Sequence, residues 1–476
     1  MQSTEPVFQI LRRRVAWIIG RWVENLGTAR SAAYQALLLL LSNSDFVTRM
    51  TATASFARLV NDCNFDASQF LEHLHPVCEQ LFQLLTIAPE TEGKLHVLNL
   101  ISLLIERMED KILPLVPRIL VWIPQLWKEA ADFNLLKSAV VVTLQRLVSS
   151  LGAQSDKMYD IVLPVLAYTT AIGSADELYL LEDGLELWRK VIANASAASA
   201  APLLSLYPNV AALLMRDFEH HQVAFSIIES YVLLYGSKFV QHYGAELVIL
   251  FGNTLGNIKD RGTIILLNVL STIFCLFPVE APQLFLPVLL KMRDMVLNKS
   301  EADHVIAGFI GIFARVAIQS VDFFFTLFQP NGEAAIVFLD TWLEKVDNLV
   351  STRNRKLSAL ALSSMLATTE ARLLEYSPLI VSVCVDVLHE VGPEEQQADH
   401  TIAPTQEAAC TEGGRKQAAD AADVASRTTL TGFVQAKLRA CKAMNSPDVF
   451  QQVLRAIDPA ILQQLRQFIP LEEFIA

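Results

Sequence analysis

Positive charge is what this sequence is short of. Lysine and arginine number 38 against 50 aspartates and glutamates, a formal net charge of −12. A phosphate backbone is held by an excess of basic surface, so nucleic acid is not an expected partner. Glycine (18) and proline (19) are scarce in 476 residues, which argues against a turn-rich all-β fold. The six cysteines are Cys63, Cys78, Cys275, Cys384, Cys410 and Cys441, and no two lie two to four residues apart. Zinc-type pairs are therefore missing, and the thiols read as single buried or neutral groups of a reducing compartment. The opening Met1-Gln2-Ser3-Thr4-Glu5 lacks the basic-then-apolar order of a secretion signal.

Chemical signatures are missing too. The sequence contains no GxGxxG, GxxxxGK[ST], HExxH or GxSxG, so the motif-borne forms of nucleotide, metalloprotease and hydrolase chemistry are not represented. His73 and His75, near Glu72 and Cys78, are two apart and would point to different sides of a helix; they read as surface or capping residues. The adjacent His220 and His221 fail the same test. Cys384 and His389 are five apart, a poor register for a nucleophile and its base. The expectation is a protein without catalytic, cofactor or metal residues.

What the sequence does hold is apolar mass in helical order. Hydrophobic residues make up 52% and charged residues 18%, the balance of a chain that folds. Residues 262–279 and 191–215 are uncharged and long enough to span a bilayer. The first run contains Asn268 and ends in Phe277-Pro278-Val279-Glu280, while the second is broken by Pro202 and Pro208. Neither has a flanking Lys/Arg cluster. Both read as buried helices, and no membrane insertion is expected.

Over residues 8–23, Phe8, Leu11, Val15, Ile18, Ile19 and Trp22 recur at spacings of three and four, with Arg13, Arg14 and Arg21 off the stripe. Leu357, Leu360, Ala361 and Met365 repeat the pattern. Helix starts are spelled by Ser174-Ala175-Asp176-Glu177 and Ser300-Glu301-Ala302-Asp303, and by Ser446-Pro447 and Asp458-Pro459. About twenty helices of roughly 12 to 20 residues result. Paired, they make a unit of about 40 residues, the size of a helical-hairpin repeat. Asp45-Phe46-Val47-Thr48-Arg49-Met50-Thr51-Ala52 resembles the second-helix signature of a HEAT repeat, in which the acid and the arginine bridge neighbouring units. The fold class is all-α, a HEAT-repeat-type solenoid of antiparallel helix pairs. One hairpin cannot bury its apolar face alone, so neighbours stack and leave an extended concave surface.

The expected layout is helical repeats over residues 1–391, a polar and disordered insertion over 392–427, and closing helices over 428–476. The insertion has almost no large apolar residues and includes Pro393-Glu394-Glu395-Gln396-Gln397 and Gly413-Gly414-Arg415-Lys416.

Acidic stripes are the candidate contact residues. Glu182, Asp183 and Glu186 form one, with Glu182 and Glu186 on one helix face. Asp340, Glu344 and Asp347 form a second, and Glu106, Glu109 and Asp110 a third. Each is a solvated face or a surface for a basic partner. The six tryptophans, Trp17, Trp22, Trp122, Trp127, Trp188 and Trp342, mostly sit on apolar stripes and read as core, with one or two left to anchor a partner.

Three segments in order carry a family resemblance. Residues 11–23, LRRRVAWIIGRWV, resemble a segment found midway along importin-β-type nuclear transport receptors. Residues 179–188, YLLEDGLELW, and 355–362, RKLSALAL, resemble two later ones, and the polar insertion falls in the matching place. The chain is thus similar, over essentially its whole length, to the carboxy-terminal part of a member of that superfamily. The resemblance implies a nuclear import receptor that shuttles between cytoplasm and nucleus. It would bind protein cargo, basic nuclear proteins above all, on the acidic concave face, cross the pore on the Phe-Gly repeats of nucleoporins, and release cargo to Ran-GTP. In the family Ran-GTP is held by amino-terminal repeats, and this chain opens on the mid-receptor segment. Ran is therefore expected to engage a region absent from this chain, and no Ran contact carries over. A HEAT-type scaffold subunit of a multiprotein complex is the alternative.

Overall fold

The computed structural model describes residues 6–330, 332–397 and 411–475. Among them every regular element is a helix. The chain divides into two compact units, residues 1–210 and 211–476.

Unit 1 holds α1 (Pro6–Arg21), α2 (Arg30–Leu41), α3 (Phe46–Asn61), α4 (Ala67–Ile87), α5 (Thr91–Met108), α6 (Val116–Ala130), α7 (Asn134–Leu151), α8 (Tyr159–Thr169) and α9 (Glu177–Asn194), and the division falls inside α10 (Tyr207–Arg216). The odd-numbered helices form a ladder in which α1, α3, α5, α7 and α9 each pack on the next, and α2, α4, α6 and α8 each pair with the ladder helix that follows. A ladder helix therefore meets neighbours on three sides. Its apolar arc is correspondingly wide: α5 buries Val97, Leu98, Leu100, Ile101, Leu104, Ile105 and Met108. Helix approach is closest where glycine allows it. A Cβ at Gly20 on α1 would overlap the Ser55 hydroxyl on α3, and one at Gly184 on α9 would overlap the Thr169 hydroxyl.

Unit 2 continues with α11 (His221–Tyr235), α12 (Ser237–Thr254), α13 (Asp260–Leu276), α14 (Glu280–Leu284), α15 (Leu286–Leu297), α16 (Asp303–Gln319), α17 (Val321–Thr326), α18 (Gly332–Lys345), α19 (Thr352–Ser364), α20 (Ala371–Leu374) and α21 (Ser377–Gln397). After the undescribed residues come α22 (Glu412–Ala422), α23 (Val424–Arg427), α24 (Leu430–Met444), α25 (Pro447–Ala456), α26 (Pro459–Leu465) and α27 (Glu472–Ile475). Here the ladder is α11, α13, α16, α19 and α21, while α12, α15 and α18 form the second row. Trp342 anchors this core, fully buried, with its indole N–H donating to Ser358 Oγ at 2.6 Å.

Polar stitches between helices keep the period of the repeat. Arg13 on α1 forks Asp45 at 2.8 and 2.9 Å, and Arg30 meets Asp62 at 2.6 Å, each pair 32 residues apart. Lys137 reaches Asp176 at 2.5 Å across 39 residues, and Tyr376 donates to Asp340 at 2.6 Å across 36. Asp45 is thus the inter-repeat acid that the HEAT-like signature suggests, and it also caps α3 through the Thr48 amide at 2.8 Å. Its signature arginine behaves differently. Arg49 is buried and donates to the Gln80 carbonyl at 3.1 Å instead of bridging a carboxylate.

The helix starts are spelled in two ways. Ser446 and Asp458 cap α25 and α26 just before a proline. At α9 the Ser174 hydroxyl makes no hydrogen bond, and Glu177 instead accepts from the Gly173 amide at 2.6 Å. The uncharged run 262–276 lies in α13, whose Leu266, Leu267, Leu270, Ile273 and Phe274 are buried. Residues 191–215 are split between α9, a 3-10 turn at Ala201–Leu206 and α10. The stretch Asn134–Thr169 is long and apolar enough to cross a membrane by length and composition, and it consists of α7 and α8 separated by a 3-10 turn.

Residues 392–427 read in sequence as solvated and disordered. Residues 398–410 lie outside the described residues. For 411–427 the structure corrects the expectation: α22 packs on α11 and α13, α23 packs on α19, and Asp423 between them is buried. Distant arginines supply the stabilisation that its composition lacks.

Candidate partner-binding surfaces

The acidic stripes are less free than their sequence suggests. Glu182 is exposed on α9 and makes no ion pair among the described residues. Asp183 accepts from the Ser138 hydroxyl of α7, so it holds two ladder helices together. Glu186 is forked by Arg189 at 2.7 and 2.9 Å and approached by Lys190 at 3.9 Å. The Arg189 hydrogen bond outweighs partial burial and keeps its carboxyl below the usual range. In the second stripe Asp340 accepts from Tyr376, and Glu344 meets Lys345 at 2.8 Å and Lys299 at 3.5 Å. Asp347 leaves the stripe, because α18 ends at Lys345 and Asp347 sits in a 3-10 turn, 3.2 Å from Arg355. In the third, Glu106 pairs with Arg146 at 2.8 Å, and Glu109, Asp110, Arg146 and Lys190 line one cleft of about 370 Å³. Of the first two stripes, the exposed Glu182 and Asp340 face no cation among the described residues.

The apolar stripe of α1 has the helical period and the opposite placement. Phe8, Leu11, Val15, Ile18 and Trp22 are between 40 and 58% exposed, whereas Arg12, Ala16 and Gly20 face the rest of the unit. The ladder explains this: α1 has a described ladder neighbour, α3, on one side only. Trp17 and Trp22 are the exposed tryptophans, Trp122 and Trp127 are half-buried, and Trp188 and Trp342 are core.

Sequence reading missed a cleft of about 630 Å³ lined by the last turns of α1 and α3 and the middles of α5 and α7. Arg21, Arg58, Asn61, Asn99, Ser102 and Arg146 are among its lining residues. Arg21 and Arg58 are exposed and make no ion pair; Arg146 donates to Ser102 Oγ at 3.0 Å. The signal was present as polar positions recurring about one repeat apart, but it requires the ladder register to be recognised.

Candidate reactive groups are quiet. Burial pushes the Cys384 and Cys78 thiols up to about 12, far from the thiolate form a nucleophile needs. His389 lies edge-on to Phe468 at 4.9 Å. His73, expected at the surface, is buried against Tyr34 and Phe70, while His75 is exposed. Among the described residues no three metal-ligating side chains cluster, and the five described cysteines are free.

These surfaces belong to a recognisable kind of molecule. The family model described as "Importin-11-like, TPR repeats" matches residues 138–470. Importin-11 of Homo sapiens is 30% identical over 98% of this chain and 50% of its own length. Importin beta-like protein KAP120 of Saccharomyces cerevisiae is 24% identical over 98% of this chain and 50% of its own. The chain thus spans about half the length of the curated relatives it matches. Among solved structures, that of Lph2, a bidirectional nuclear transport receptor in S. cerevisiae, superposes with a TM-score of 0.83 at 22% identity over 96% of this chain and 52% of that one. The fold is therefore the helical-repeat solenoid of such receptors, and with more than half its residues matched the chain belongs to the importin-11-like family.

Proposed function

We propose that this chain is the cargo-binding part of a nuclear import receptor. The observation that carries the reading is the family match over residues 138–470, reinforced by a relative at 30% identity along nearly the whole chain. The partners that follow are protein cargo, Phe-Gly nucleoporins and Ran-GTP; the protein shuttles between cytoplasm and nucleus and catalyses nothing. The Ran class is supported by a solved relative, Kap95p with RanGDP, which superposes with a TM-score of 0.58. Stacked repeats suit the task, because small shifts at many interfaces can change the grip on a cargo.

Basic nuclear proteins are the proposed cargo. The net charge of −12 supports this, as does the unpartnered Glu182 beside Asp183 and Glu186. Asp340, Glu344 and Asp347 form the second proposed contact. The experiment is a binding titration of the full chain with a lysine-rich peptide at low and moderate salt, alongside a Phe-Gly repeat peptide. Salt-sensitive binding that Glu182→Lys weakens supports the reading. Retention of the peptide unchanged by Glu182→Lys and Glu344→Lys removes these acids from it. No affinity for either peptide, with one salt-resistant protein partner recovered instead, favours the scaffold alternative.

A further inference from the structure

Residues 411–427 are held differently from every ladder helix. Thr411 caps the segment, its Oγ1 accepting from the Gly414 amide at 3.1 Å. Buried side chains in α22 and α23 are otherwise absent but for Ala425, with Gly414 the one buried backbone position of α22. Its one branched apolar residue, Val424, is only half-buried. Polar contacts dock the segment. Arg315 of α16 clasps both oxygens of Asp423 at 2.7 and 3.0 Å, and Arg353 of α19 adds a bond at 2.5 Å. The same Arg353 bonds Asp420 at 2.5 Å. Lys416 sits between Glu229 of α11 at 2.9 Å and Glu412 at 2.8 Å, and the Cys275 thiol donates to the Ala419 carbonyl at 3.6 Å. Arg315 is steadied from behind by Ser271 Oγ at 3.1 Å.

Two arginines from two helices thus read two carboxylates three residues apart, separated by Ala421 and Ala422. The fit is incomplete. A cleft of about 340 Å³ stays open beside the acids, walled by Phe274, Pro278, Ile318 and Ala422. The site therefore specifies one carboxylate in the last turn of a helix and a second on the extended residue that joins it to the next helix, and it offers a pocket of mixed lining that its present occupant does not fill.

We propose that the Arg315–Arg353 clasp is a docking site for an acidic segment of a partner protein, with one carboxylate in the last turn of a helix and a second three residues on at an extended cap, and that residues 411–427 occupy it in cis. Charge complementarity and the segment already seated there define the partner: a helix end and following cap bearing Asp or Glu at those positions, and a larger apolar residue where this chain has Ala422. It is a different surface from the acidic stripes and takes a partner of opposite charge, so it stands whether or not those stripes bind cargo. Exchange follows from how the segment is held. Ion pairs and small residues, unlike a row of buried leucines, can be matched by another acidic segment, and the pocket rewards one that fits better.

The test is fluorescence anisotropy of the full chain with a labelled peptide of sequence 411–427, its Ala422→Leu form, and a neutral form carrying Asp420→Asn and Asp423→Asn. The acidic peptide is expected to bind and the neutral one not. Ala422→Leu should bind roughly tenfold more tightly. Weakening the chain's own segment by Asp420→Asn, a change at a 60% exposed side chain that leaves Asp423 in place, should strengthen peptide binding, and Arg353→Glu should abolish it. An Asp420→Asn chain, folded by circular dichroism, that binds the acidic and neutral peptides equally or neither of them overturns the proposal and leaves the clasp as an internal brace.

Discussion

Arg146 in unit 1 and Arg315 in unit 2 begin alike and end differently. Each donates to a serine hydroxyl 44 residues earlier on the preceding ladder helix, at 3.0 and 3.1 Å. Arg146 then meets Glu106, itself 52% exposed, and borders an open cleft with the unpaired Arg21 and Arg58. Arg315 instead faces Asp423, supplied from 108 residues further along and 0% exposed. Stacking repeats in register builds the arginine-on-serine device in both places. What the device then does depends on what the rest of the chain brings to it. Contacts at the repeat period make the stack; contacts across 67 to 187 residues fasten one added segment to it.

The largest expected effect separates the two arginines. Asp423→Ala leaves Arg315 buried without its carboxylate and should cost unit 2 about 3–5 kcal/mol, read from urea unfolding. Arg146→Ala loses an exposed pair and should cost about 1 kcal/mol or less. Equal costs would break the comparison.

Acid should loosen the clasp next. Burial raises the Asp423 carboxyl, but the Arg315 hydrogen bonds and charge win and hold it at about 2. A folded value below the unfolded one gives stability that is full above pH 4 and fades as the pH falls toward 2. The loss should be roughly 2 kcal/mol over that window, measured by unfolding at each pH. Asp45, held at about 2 chiefly by its hydrogen bond from Arg13, weakens the α1–α3 stitch in the same window.

Gly20→Val tests the packed side of α1. A side chain there meets Ser55, whose hydroxyl donates to the Ala16 carbonyl at 2.7 Å. Separating α1 from α3 should cost about 1–3 kcal/mol, read from thermal unfolding of unit 1 with unit 2 unaffected. The smallest effect on stability is Glu182→Lys, expected within about 0.5 kcal/mol by the same measurement, while its effect on binding a basic peptide is the informative one.

Much of the fold was legible because helices announce themselves locally. Asp45, Ser446 and Asp458 start helices where their neighbours said they would. Burial was less legible. The stripe of Phe8, Leu11, Val15, Ile18 and Trp22 has a core-like pattern, yet which face is covered depends on a neighbour, and α1 has one ladder neighbour among the described residues. Charge was misjudged for a similar reason. Glu186, Asp340 and Glu344 look free in sequence, but their partners Arg189, Tyr376, Lys345 and Lys299 come from nearby turns and from the next repeat. Residues 411–427 were misread most fully. Alanines, glycines and charges lack the apolar mass that ordinarily orders a segment, and the arginines that order this one lie on α16 and α19.

Hydrogen exchange on the full chain and its Asp423→Ala variant tests the distinction between stack and fastening most directly. Residues 412–427 should lose protection in the variant, while the ladder helices of unit 1 and the amides of α13 and α16 keep theirs. Loss of protection spread through all of unit 2 would contradict the account, because the segment would then be part of the cooperative stack and not fastened onto it.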